Sequence, residues 1–305
     1  MPAIMPERLA ATDPMKPVAE MIGSGPYRFL ADERVAGSLT AYARFDGYVP
    51  RADGPVAFTA GPKVAHFDRI EWRVIPDAST AAAALQSGEI DWWERPIPDA
   101  VPLLRRRRIS VGVIEKLGLM GVLRPNSLQP PFDNPEIRRV VLSCIDQADF
   151  MTAAAGTDTT LWRTGVGVFP PETPMATDVG NGVLKARKDF EGVKRDLAAA
   201  GYRGEPVVLL TTSDPIPETP MGAVAADLFR RIGFNVEVRQ SDWATLAQRR
   251  GNRGPTTAGG WSGFITAAGA ENFIDPSVSV LTRGNGAEGW FGWPDIPELE
   301  QLNRQ

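Results

Sequence analysis

One cysteine and one histidine in 305 residues exclude several kinds of chemistry at once. Cys144 cannot form an internal disulfide. His66 alone leaves no histidine-rich metal site and no ordinary triad built on histidine. His66 sits in KVAHFDRI with no cysteine beside it, so a loop or satisfied core role is expected. No apolar run approaches the roughly 18 residues of a membrane-spanning helix. The first twenty residues have neither a cationic start nor an apolar run, so no signal peptide is expected there. Surplus positive charge is missing too: the net charge of −4 gives no footprint for nucleic acid. The run Arg105 to Arg108 has no interleaved aromatics and reads as a solvated face. HExxH, CxxC, GxSxG and SxxK do not occur as catalytic sets, and Gly23-Ser24-Gly25 completes no phosphate loop.

What is present is a chain with 43% hydrophobic and 23% charged residues, enough for a packed core and against global disorder. Its length suggests two domains or one large α/β unit. The organising stretch runs from Pro130 to Phe150. Asp133 or Asn134 can cap a helix, Pro135 suits its first turn, and Glu136 lies at the positive end of its dipole. Ile137, Val140, Val141, Cys144, Ile145 and Ala148 then form one apolar stripe, so a single docked helix is expected, with Cys144 as a small buried hydrophobe.

Before that helix, Tyr27 to Leu30, the stretch around Ser38 to Val49, and Arg69 to Val74 read as strands. In the last, Ile70, Trp72 and Val74 alternate with Glu71 and Arg73. Asp77 or Ser79 caps a helix closed by Gly88, and Glu89 to Trp93 resumes extended structure. Residues 109–125 hold one or two strands, with a lobe boundary near Leu117 to Asn126. Residues 156–188 form a long loop rich in Gly, Pro and Thr. From Asp189 the pattern is helix, strand (Val207 to Thr212), helix (218–232), strand, helix capped by Asp242, and a Gly-rich extended run: a βαβ-type lobe. Residues 269–305 read as loop-rich.

The strongest site signal is Gly259 to Phe264, GGWSGF. Glycines allow close approach to the backbone, and Trp261 offers a flat apolar surface with one polar handle, which suits a cleft wall; the alternative is core packing. Trp162 in the long loop offers the same two readings. For an enzyme, Asp242, Glu237 and Asp275 are available, but no spacing pairs them.

Five segments taken in order resemble the solute-binding proteins of ABC importers, family five, which bind peptides, dipeptides and nickel. They are Ile22–Phe29, Val74–Asp91, Pro131–Asp146, Phe190–Tyr202 and Ala225–Trp243. The resemblance implies two α/β lobes closing on a ligand, in the class with an extra inserted domain. Residues 1–118 would be the later part of the first lobe and 119–305 the second. The fold is expected to be incomplete here, without the opening of the first lobe, the inserted domain and the closing return. Gly121–Asn126 resembles the family's crossing near the cleft, so Arg124 and Asn126 join Trp162, Trp261, Ser262, Gly263 and Phe264 as ligand-binding candidates. Peptide-binding members often carry an aspartate after the tryptophan. Ser262 and Gly263 stand there instead, which suits a carbonyl, sugar or carboxylate better than an ammonium. The resemblance further implies a monomer in the periplasm that hands a small solute to a membrane permease, with no cofactor, nucleic acid or catalysis. A sensor or chaperone on the same scaffold is the alternative.

Overall fold

The structure is a computed structural model. It describes residues 4–12, 18, 20–56, 60–107, 109–185, 189–277 and 279–305. The chain divides into two compact units, Met1–Arg95 and Pro96–Gln305. This division falls ahead of the 118/119 boundary placed from the sequence. Pro98 packs on Gly156, and the Arg105 guanidinium lies 3.8 Å from Asp158, so the stretch after Arg95 packs with the later unit.

In the first unit a short helix, α1 (Glu7–Ala10), precedes an antiparallel sheet of β1 (Tyr27–Phe29), β2 (Leu39–Arg44) and β3 (Arg69–Arg73). The register pairs Tyr27 with Arg44 and Tyr42 with Ile70. Tyr27 Oη donates to the Phe67 carbonyl at 2.9 Å, tying the ends of the sheet together. Helix α2 (Ala78–Ser87) follows. The Asp77 carboxylate accepts from Thr80 N at 2.7 Å, and Gly88 closes the helix at φ 76°, as composition predicts. Hydrogen bonds from Ser79 and Thr80 hold the Asp77 carboxyl down at about 2. Two expectations fail here. Glu89 to Trp93 forms no strand, and Trp92 instead meets Trp72 at 6.1 Å between rings. Trp72 and Val74, expected to be half-buried by alternation, are exposed, because no described element of the unit covers that face of β3.

The second unit opens with α3 (Val101–Arg106), which buries Leu104 and leaves Arg105 and Arg106 at its exposed end; Arg108 lies outside the described residues. Strand β4 (Leu119–Pro125) leads into α4 (Pro135–Cys144) and α5 (Gln147–Ala155). Pro135 and Asn134 start α4 as expected, with Asn134 Oδ1 accepting from Glu136 N at 2.9 Å. The single stripe is broken, however. Ile145 turns extended, and Asp146 caps a second helix by accepting from Ala148 N, so a local side-chain acceptor overrides the continuing periodicity. Then come α6 (Phe190–Ala199), β5 (Pro206–Thr212), α7 (Glu218–Arg231), β6 (Asn235–Ser241), α8 (Trp243–Arg249), β7 (Gly263–Gly269) and α9 (Pro297–Asn303). The last is a helix within the stretch read as loop.

The sheet runs β4-β7-β5-β6, with β5 parallel to β6 and β7, and β4 antiparallel to β7. Alternation along β5 sorts the two cores. Val207 and Leu209 join α4 to α7 through Ile137, Phe132, Ala225 and Phe229. Val208 and Leu210 join Leu246 of α8 with Trp261, Phe264 and Trp293 on the opposite face. All four β5 side chains are buried, at about 1.5–3 kcal/mol each. Helix α7 lies close to β5 because Gly222 carries no Cβ: one would stand 2.8 Å from Thr211 Cγ2.

Helix α9 is held by Glu300, which accepts from Arg283 Nε at 3.0 Å and from Gly284 N at 2.7 Å. The Arg283 guanidinium, then the Gly284 N–H, keep the Glu300 carboxyl at about 2, below its ordinary 4.5. A depressed carboxyl stabilises the fold above its unfolded pKa and loses that contribution as pH falls toward its folded one. Amide protection of α9 and of Gly284 is therefore expected to fall between pH 4.5 and about 2 in hydrogen exchange. Glu300→Gln should remove this acid dependence, and an unchanged profile would refute the assignment.

Candidate functional site

The connections of the second unit reverse direction at one place in its sheet. From β5 the chain passes through α7 to β6 on one side, then through α8 back past β5 to β7 on the other. In open α/β sheets ligands bind outside the carboxyl ends of the strands at such a point. Here the two strands also part. β5 and β7 pair only at Leu209 with Gly263 and Leu210 with Phe264. Beyond that, β5 stays with β6 as far as Thr212, and β7 stays with β4 as far as Gly269. The carboxyl ends therefore form two lips.

One lip carries Ser213 and Asp214. Asp214 N donates to Thr212 Oγ1 at 3.1 Å, and Asp214 Oδ2 accepts from Trp243 N at 3.0 Å, which fixes its carboxylate at the start of α8. The other lip is Ala267, Ala268 and Gly269, followed by Glu271 and Asn272. Asn272 Nδ2 donates to the Gly269 carbonyl at 3.0 Å. The β7 residues are fully buried through Thr266 and only half-buried from Ala267 to Gly269, so small side chains line an open edge. Carboxylates and carbonyls on both lips can accept from N–H groups of a ligand. They provide no nucleophile with an adjacent base.

The residues singled out in the sequence lie at the other end of the same strands. Arg124 pairs with Phe264 and Pro125 with Gly263, so β4 and β7 bring Arg124, Asn126, Trp261, Ser262, Gly263 and Phe264 together. Asn126 Nδ2 donates to the Trp261 carbonyl at 2.9 Å, and Asn126 N to the Ser262 carbonyl at 2.8 Å. Ser262 Oγ accepts from Val208 N at 3.0 Å, bracing β7 on β5. Trp261 Nε1 donates to the Arg250 carbonyl at 3.1 Å, and the ring stacks edge-on against Phe264 at 5.0 Å. Asn126, Trp261, Ser262 and Phe264 are 0% exposed. The placement of Trp261 on a cleft wall is thus corrected: it is core, and Ser262 is a strut between strands rather than the counterpart of a ligand-facing aspartate. The glycines before it serve packing. A Cβ on Gly260 would meet the Gly254 carbonyl at 2.0 Å. Trp162 is half-buried and donates to the Gly156 carbonyl at 2.9 Å within its own loop.

Sequence reading missed Arg250, Trp290 and Phe291. Arg250 lies within 5.9 Å of the rings of Trp243, Phe264, Trp290 and Phe291, closest to Phe291 at 4.4 Å. Arg124 donates from Nε to the Phe291 carbonyl at 2.7 Å and from Nη1 to the Leu281 carbonyl at 3.0 Å, with its guanidinium 5.3 Å from the Trp290 ring. Burial pushes Arg124 down to about 10 and lowers Arg250 as well. Neither has a carboxylate partner among the described residues, so aromatic faces stand in for one. The only trace in the sequence was a loop unusually rich in tryptophan.

The acids considered for catalysis are engaged separately. Asp242 caps α8 by accepting from Thr245 N at 3.0 Å, Glu237 pairs with Arg239, and Asp275 accepts from Ser277 N at 2.8 Å. Among the described residues no cluster of His, Cys, Asp and Glu is placed to hold a metal, and no helix is long and apolar enough to cross a membrane.

The family described as bacterial extracellular solute-binding proteins, family 5 Middle, matches residues 1–286. A probable peptide ABC transporter periplasmic-binding protein of Sinorhizobium fredii is 35% identical over 308 aligned residues, covering 99% of this chain and 57% of that protein. Heme-binding protein A of Haemophilus influenzae is 26% identical over 230, covering 72% of this chain and 40% of its own length. Among solved structures, a binding protein from Agrobacterium tumefaciens in complex with agropinic acid aligns with TM-score 0.66 at 18% identity, over 92% of this chain and 53% of that one. A dipeptide-binding protein from Pseudoalteromonas in complex with Met-Leu aligns with TM-score 0.64 at 20% identity, over 92% and 52%. These structures share the α/β binding-protein fold, and the chain spans about half the length of the relatives it matches. A match of this extent, on the fold described above, places the chain in a family of substrate-binding proteins rather than enzymes: it belongs to the family 5 bacterial extracellular solute-binding proteins.

Proposed function

We propose that the chain is part of the extracytoplasmic solute-binding component of an ABC importer, taking up a peptide or related small solute and passing it unchanged to a membrane permease. The single observation carrying this reading is the parting of β5 and β7 at the switch point of a family 5 chain. The solute sits against the lips formed by Ser213–Asp214 and Ala268–Asn272, where acceptors await its N–H groups. In this reading residues 119–305, with the stretch after Arg95 that packs on them, are one lobe, the residues before it are the later part of the other, and the protein acts as a monomer outside the cytoplasm. The peptide class is supported by the Sinorhizobium relative, a probable peptide transporter component, and by the Pseudoalteromonas protein, which binds a dipeptide.

The test is hydrogen exchange on the chain titrated with a panel of di- to tetrapeptides. At least one is expected to slow exchange saturably at residues 213–214 and 268–272, since a ligand that binds only the native form suppresses local opening. Ala268→Trp should abolish that protection while leaving the urea midpoint in place. Protection by no member of the panel, or protection that survives Ala268→Trp, would sink the proposal.

A further inference from the structure

Beside the buried amino end of β7 lies a cavity of about 410 Å³, within the range of small-molecule sites. Its walls include Trp290, Phe291 and Trp293, with Arg253, Asn285 and Glu288 among its polar residues. The backbone that shapes it is held in unusual conformations. Gly286 has φ 59°, Gly292 φ 99°, and Trp293 φ 43°, a left-handed value that a bulky residue keeps only when its surroundings enforce it. Gly286 N donates to the Pro294 carbonyl at 3.0 Å and Ile296 N to the Gly284 carbonyl at 2.8 Å, closing the segment on itself.

The polar groups are unevenly satisfied. Asn285 Oδ1 is buried with no donor among the described residues, packed so closely on Gly289 that a Cβ there would stand 2.9 Å from it. Arg283, also on the lining, is neutralised by Glu300. Arg253 has no carboxylate partner among the described residues. It uses one N–H on the Ala287 carbonyl at 2.7 Å and lies 4.9 Å from the Trp293 ring. Behind the same aromatic wall stand Arg124 and Arg250, whose Nη2 and Nε are buried without partners. Against these cations the described lining sets one carboxylate, Glu288. Arg124 and Arg250, buried without a carboxylate among the described residues, and the exposed Arg253 give such a wall a positive potential.

We infer that this cavity binds a small organic carboxylate on a flat or apolar body. The carboxylate meets Arg253, and the body lies on the aromatic wall at Trp290 and Phe291. This site is at the opposite end of β7 from the lips of the parted strands and does not depend on them.

The probe is N-acetylphenylalanine, titrated calorimetrically into the full 305-residue chain, beside its carboxamide and inorganic phosphate. One saturable site is expected for the acid. The carboxamide should bind about tenfold more weakly or worse, the scale of one charge-assisted hydrogen bond lost. Arg253→Gln should weaken the acid about tenfold on the same ground, and Glu288→Gln, which removes the opposing charge, should tighten it. Both side chains are exposed, so each variant serves as a folding control for the other. Ala268→Trp should leave this binding untouched, which separates it from the solute site. No saturable heat, equal binding of acid and carboxamide, competition by phosphate at the same concentration, or indifference to both charge variants would overturn the assignment.

Discussion

Replacing Gly292 by alanine is expected to destabilise the second unit by about 2–5 kcal/mol, the sum of a left-handed backbone penalty and an overpacking penalty. Gly292 sits at φ 99°, and a Cβ there would lie 2.6 Å from the Pro125 carbonyl oxygen and 2.8 Å from Arg124 Nε. Neither obstacle gives way cheaply. The first is backbone at the end of β4, and the second already donates to Phe291 and cannot retreat without breaking that bond. Gly292 also supplies the carbonyl that accepts from Ser127 N at 2.8 Å, so displacement of the turn loosens a second tie. The measurement is a urea titration followed by tryptophan fluorescence, with the midpoint falling and the slope unchanged. A shift below about 0.5 kcal/mol, the usual range for surface substitutions, would mean the turn is not held where it is described.

Trp261→Ala is expected to cost about 3–5 kcal/mol, as for other large aromatic side chains removed from a core. The ring has no exposed surface and touches Phe264 and Trp293, and its indole N–H is paired with the Arg250 carbonyl. Alanine removes the packing and leaves a carbonyl without its donor. Trp261→Phe should recover part of the loss by refilling the cavity while leaving that carbonyl unpaired. This series separates core from cleft. A tryptophan on a ligand-facing wall would lose affinity on truncation and keep its stability; a core tryptophan loses stability first. Equal urea midpoints for the wild type and Trp261→Ala would restore the cleft assignment.

Much of the fold was legible because local chemistry and tertiary position agree over most of the second unit. Asn134 and Asp242 begin helices where their side chains accept from early N–H groups, Pro135 sits in a first turn where no N–H is needed, and the apolar run of β5 is long enough to face two cores. The misses have specific causes. The stripe through Ile145 and Ala148 continues at helical spacing, but Asp146 offers a competing acceptor, and one hydrogen bond decides the matter. Trp72 and Val74 alternate like a half-buried strand, yet alternation does not say whether anything covers the face. The burial of Trp261 was not legible because a glycine pair next to a tryptophan looks the same before a strand as after one. Only the register of β7 on β4 and β5 shows that Trp261 enters the sheet, while Ala268 and Gly269 leave it. The Arg250 box was illegible for a different reason: its rings come from three separate elements and meet only in space.

Cys144 is the chain's sole sulfhydryl, 2% exposed on the inner face of α4 among Ile137, Val141 and Phe150. A maleimide can reach it only when the core around α4 opens, so its alkylation rate is a clock for that motion. Comparing that clock for the wild type and for variants at the sheet's two ends would tell which end governs how often the unit breathes, with no label engineered into the protein.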